Sequence, residues 1–61
     1  MRTIYVIKLK SGKYVGYHYR YVDFADCRIY NKKGHATNSA RQQNIPDKNY
    51  TVVELQVEEP M

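Results

Sequence analysis

Sixty-one residues suffice for one domain, and a chain this short buries only about 60 % of the surface its unfolded form exposes. Its single cysteine, Cys27, excludes an internal disulfide, and His18 and His35, 17 positions apart with no second cysteine, do not make a zinc staple. The net charge of +4 hides an asymmetry: residues 1–53 carry +7 and residues 54–61, with Glu54, Glu58 and Glu59, carry −3. Such a layout suits a polyanionic partner for the body and a solvated acidic tail, or solubility alone.

MRTIYVIKLK breaks its apolar run with charges too early for a signal peptide or membrane helix, so a cytoplasmic location is expected. Residues 3–9, TIYVIKL, are β-branched, aromatic or aliphatic and read as a strand. Lys10-Ser11-Gly12-Lys13 follows as a turn, and residues 14–22, YVGYHYRYV, return as the second strand of a hairpin. A two-residue loop pairs Leu9 with Tyr14 and makes Ile4, Val6, Val15, Tyr17, Tyr19 and Tyr21 the better core face. A three-residue loop shifts that register by one. Gly16, lacking a side chain, marks a bend.

Residues 24–30, FADCRIY, alternate again as a third strand, with Ala25, Cys27 and Ile29 inward and Asp26, Arg28 and Tyr30 outward. Asn31-Lys32-Lys33-Gly34 is a turn, and His35-Ala36-Thr37 a short fourth strand. A brief helical turn over 40–43, capped by Asn38 or Ser39, stops before Pro46. Residues 50–57, YTVVELQV, form the last strand, with Thr51, Val53, Leu55 and Val57 on its buried face. One domain over 1–57 and an acidic tail over 58–61 result.

The expected fold is mainly β, a five-stranded SH3-like small barrel with one short helical turn before the last strand, since closure hides sheet edges. The alternative extends the helix back to Lys32 and gives a ββαβ sheet with one covering helix. Gly34, His35, Thr37, Asn38 and Ser39 are poor helix formers and argue against it. A core this small also leaves a homo-oligomer open.

Leu9-Lys-Ser-Gly12, then Gly16, then Asp23, resembles the first motif of Sm-like proteins, in which a leucine and glycine open a bent hairpin and an aspartate follows its second strand. The family's N-terminal helix is missing, and Asn31-Lys32-Lys33-Gly34 does not match its second motif, so no RNA-binding residues carry over. The size, the IYVIKLKSGKYVG opening and the lack of catalytic residues resemble the small accessory proteins of phages and prophages.

Catalysis has little to work with. Cys27 with His18 or His35 is the sole nucleophile–base option, and a thiol on an inward face has its thiolate disfavoured. Asp23 and Asp26 are explained as turn residues, and the three glycines are too scattered to cradle a phosphate. No enzyme, cofactor or metal site is expected. A binding protein is, with a protein partner first, because tyrosine and arginine dominate binding hot spots. Nucleic acid is the alternative, through cations that displace counterions and rings that stack on bases. The candidate residues for either partner are Lys8, Lys10, Lys13, Tyr17, Tyr19, Arg20, Arg28, Lys32, Lys33 and Arg41.

Overall fold

A computed structural model describes residues 1–58, the side chain of Tyr19 excepted; Glu59, Pro60 and Met61 of the expected acidic tail lie outside the described residues. The strands are β1 (Arg2–Leu9), β2 (Tyr14–Val15), β3 (Tyr21–Val22) and β4 (Tyr50–Val57), with one α-helix, α1 (Lys33–Gln42). Short 3₁₀ turns occupy Tyr17–Tyr19, Phe24–Asp26 and Asp47–Asn49. The sheet is antiparallel, four-stranded and open, in the order β3-β2-β1-β4. No described helix is long and apolar enough to cross a membrane.

The barrel is therefore corrected to an open sheet with one covering helix, close to the ββαβ alternative. The strands between Tyr14 and Tyr30 are too short to close it. Gly16 does bend the chain, its N–H bonding the Arg20 carbonyl at 2.7 Å, but the bend splits the expected 14–22 strand into two pairs of residues. A Cβ on Gly16 would lie 2.9 Å from Val22 Cγ2, so only glycine lets β2 and β3 close up here. The expected third strand shrinks to a 3₁₀ turn and one bridge, in which Tyr30 exchanges two 2.8 Å backbone bonds with Tyr5. Its expected inward face is not kept: Ala25 and Ile29 are exposed and Cys27 half-buried, whereas Tyr30, expected outward, is buried, and Asp26 and Arg28 stay exposed.

The β1–β2 hairpin uses the three-residue loop. Leu9 N–H bonds the Lys13 carbonyl, Gly12 N–H bonds the Leu9 carbonyl, and Gly12 takes φ 95°, which shifts the register to Lys8 opposite Tyr14. β1 then lies between β2 and β4 and is buried on both faces, which explains its near-continuous apolar run. Ile7 and Leu9 meet Val15, Tyr30, Ala36, Ala40 and Ile45 under the helix. Ile4 and Val6 lie on the opposite face, across from Leu55 and Val53. Of the expected core tyrosines, Tyr17 and Tyr21 are exposed. On β4, Tyr50 and Val52 rather than Thr51 and Val57 pack towards the helix core.

The turn and short strand expected over 31–37 are replaced by α1, which forms against its own propensities. Ala36 and Ala40, four residues apart, are fully buried on the sheet, and their small side chains let the helix approach closely. Its start lacks a side-chain cap at Lys32. Its end is firmly built: Asn44 takes φ 59°, its N–H bonds the Arg41 carbonyl at 3.0 Å, and Ile45 N–H bonds the Ala40 carbonyl at 3.1 Å. This is a Schellman termination, with the apolar contact between Ala40 and Ile45 that accompanies it.

Candidate functional site

The chain leaves the sheet at Gly16 and returns at Arg28, whose N–H bonds the Val15 carbonyl at 3.0 Å. That excursion and α1 face each other across a cleft. Arg28 stands in it with its guanidinium carbon 5.4 Å from the centroid of the Tyr17 ring and 5.0 Å from that of Tyr30. Tyr30 is fixed in turn, its hydroxyl donating to Ser39 Oγ at 2.8 Å. Such cation–π contacts contribute roughly 0.5–1 kcal/mol each at exposed sites.

Beside Arg28, a hollow of about 210 Å³ is lined by Gly16, His18, Ser39, Gln42 and Gln43. A second hollow adds Tyr30, His35 and Asn38. Among the described residues, no carboxylate lines either one. The two hollows share Arg28, Ser39 and Gln42 and form one shallow polar cleft. Two further features mark the cleft. His18 holds φ 58°, ψ 37°, the left-handed conformation that histidine adopts more readily than most residues other than glycine. Gln43 donates to Ser39 Oγ at 3.1 Å, while its Oε1 is shut from solvent with no partner among the described residues. The cleft thus offers a positive charge and several donors, while the unmet Gln43 acceptor lies beneath its surface.

The ten candidates do not converge. Tyr17 and Arg28 meet, and the side chain of Tyr19 lies outside the described residues. Lys8 and Lys10 join Lys48 and Asn49 around one end of the sheet. Lys13 is held by Asp23, Nζ to Oδ1 at 2.8 Å, which draws that carboxyl below its ordinary range through the hydrogen bond and then the charge. Lys32 and Lys33 start α1 at the other end, roughly 20 Å away by the rise of β1. Arg20 is exposed beyond the 17–19 turn, and Arg41 is exposed in the last turn of α1. The expected cationic rim of hairpin tips is therefore divided between opposite ends.

Tyr30, Ser39, Gln43 and Lys48 were missed by sequence reasoning. The alternation of Arg28 and Tyr30 pairs them on one side, but nothing local shows that α1 supplies Ser39 and Gln43. Among the described residues, no three histidine, cysteine or acidic side chains cluster to hold a metal. Cys27 has its thiol pushed up mainly by desolvation, which disfavours the thiolate. A broader groove of about 490 Å³ beside Lys10, Tyr21 and Pro46 carries only that one charged side chain. No family model, no curated protein and no solved structure matches this chain.

Proposed function

We propose that this chain is a non-catalytic binding protein, of the phage accessory type its opening resembles, that docks a protein partner at the Arg28 cleft. The observation that carries this reading is an arginine set against two tyrosine rings with no carboxylate among the described residues of the lining. An acidic side chain on the partner supplies the missing charge, and arginine flanked by tyrosine is the composition of a binding hot spot.

The test is capture from a bacterial lysate, with and without nuclease, by the wild type and by Arg28→Gln. Protein retained after nuclease and lost with Arg28→Gln supports the reading; equal capture by both proteins removes it. Short peptides bearing Glu against matched peptides bearing Gln give the same comparison with a defined probe.

Nucleic-acid contact is the second reading, favoured by Lys8, Lys10 and Lys48 at one end of the sheet. Three phosphate contacts give a salt slope of about −2.7, which weakens duplex binding roughly 40-fold between ~50 and ~200 mM salt. Replacing the three lysines by Gln would abolish it.

A further inference from the structure

β4 is the outer strand of the sheet, and its backbone alternates strictly. Tyr5 and Leu9 direct their backbone groups towards Tyr30 and Lys13, whereas Lys10 N–H bonds the Asn49 carbonyl at 2.9 Å. Even-numbered residues of β1 therefore face β4, where their partners Thr51, Val53, Leu55 and Val57 point inward. Tyr50, Val52, Glu54 and Gln56 are left with N–H and C=O groups directed outward, and no described residue bonds them.

Natural edges are blunted by lysine, proline, bulges or cover. β4 carries no lysine or proline over its eight residues, and its register against β1 runs without a bulge. Its one charge is drawn back across the sheet, Tyr5 Oη donating to Glu54 Oε1 at 3.2 Å, and Gln56 Nε2 is likewise held by Thr3 Oγ1 at 2.9 Å. The outward backbone groups of this edge have no partner among the described residues.

We propose that this edge pairs with β4 of a second copy, antiparallel about a two-fold axis through Val53. The register follows from the numbering. Setting Tyr50 opposite Gln56 and Val52 opposite Glu54 of the second copy pairs all four outward residues on each strand. Sliding one pair either way leaves three, and one of those slides sets Glu54 against Glu54. The chosen register brings Val53 against its own copy in the closer, non-hydrogen-bonded type of pair, and Thr51 against Leu55. It also directs Glu58 towards Lys48 of the second copy at each end, joining the acidic end of one chain to a basic end of the other. That charge match and the self-complementary register select a second copy over an unrelated extended peptide. The Arg28 cleft lies on the other side of β1 and takes no part, so the two proposals stand or fall separately.

Sedimentation velocity from ~10 µM to ~1 mM tests it, since pairing one strand buries less than the ~1,200 Å² of a tight complex and gives a concentration-dependent dimer. Val53→Lys and Val53→Glu each place like charges at the axis, raising the dissociation constant about tenfold or more, and an equimolar mixture of the two restores association. Because Val53 also faces Val6, a synthetic chain N-methylated at Glu54 serves as the second variant. It keeps every side chain, removes one outward donor and is expected to be monomeric with an unchanged circular dichroism spectrum. A wild type monomeric at ~1 mM overturns the proposal. So does an N-methylated chain that dimerises normally, or a monomer that captures a foreign extended peptide on this edge.

Discussion

Replacing Asn44 asks directly whether α1 ends where the structure puts it. At φ 59° the residue lies in the left-handed region, which turns its own N–H onto the Arg41 carbonyl and the N–H of Ile45 onto the Ala40 carbonyl. A Cβ in that conformation costs roughly 1–2 kcal/mol for most residues, less for asparagine and nothing for glycine. Asn44→Ala should therefore lose about 1 kcal/mol, and Asn44→Gly should match or exceed the wild type, glycine's greater freedom when unfolded trimming its gain. Small cores supply only about 3–5 kcal/mol, so this is a substantial share, equivalent to ~4–8 °C in Tm. Urea denaturation followed by far-ultraviolet circular dichroism gives the difference at constant m-value. Helix propensity alone ranks the two the other way, alanine above glycine by about 1 kcal/mol. Alanine equal to or better than glycine would refute the Schellman end, and with it the placement of Ile45 in the core.

Gly16→Ala should destabilise by about 1–3 kcal/mol through overpacking on Val22, and Val22→Ala in the same chain should recover part of that loss; chemical denaturation of the double-mutant cycle reads the coupling. Lys32→Asp supplies the missing N-cap of α1 and removes a cation from its positive end, so the melting midpoint should rise by the equivalent of about 1 kcal/mol. Asp23, held below its ordinary pKa by Lys13, contributes stability present above the unfolded value and lost as pH falls through the depressed folded one. A carbon-detected titration should show that midpoint return to the ordinary carboxylate range in Lys13→Gln.

The two long strands were legible because their residues decide them locally. TIYVIKL and YTVVELQV admit little but strand, and β4 begins and ends where the sequence reading placed it. The hairpin register turned on whether Lys10 belonged to the loop, a choice the left-handed Gly12 settles only once its bonds are seen. The helix was hidden for a different reason. KGHATNSARQ has weak propensity and no cap, and what holds it is the contact of Ala36 and Ala40 with a sheet whose strands come from both ends of the chain. The signals present were the four-residue spacing of those alanines and Asn44-Ile45-Pro46 as a stop. The barrel expectation failed with it, because the same helix covers one face of the sheet and β4 pairs only with β1. The cleft was half visible. Arg28 and Tyr30 share a side of one segment, while Tyr17 arrives by the bend at Gly16 and Ser39 by the unforeseen helix.

The account rests most heavily on Arg28 being set against Tyr17 and Tyr30 and open to an acidic group. One nitrogen–proton spectrum of the Arg28 side chain, recorded during titration with a short glutamate-containing peptide, addresses both parts. A side-chain resonance displaced from its random-coil position by the two rings, moving further as peptide is added and unmoved by the glutamine counterpart, is the predicted result. A resonance at the random-coil position that ignores both peptides would contradict it.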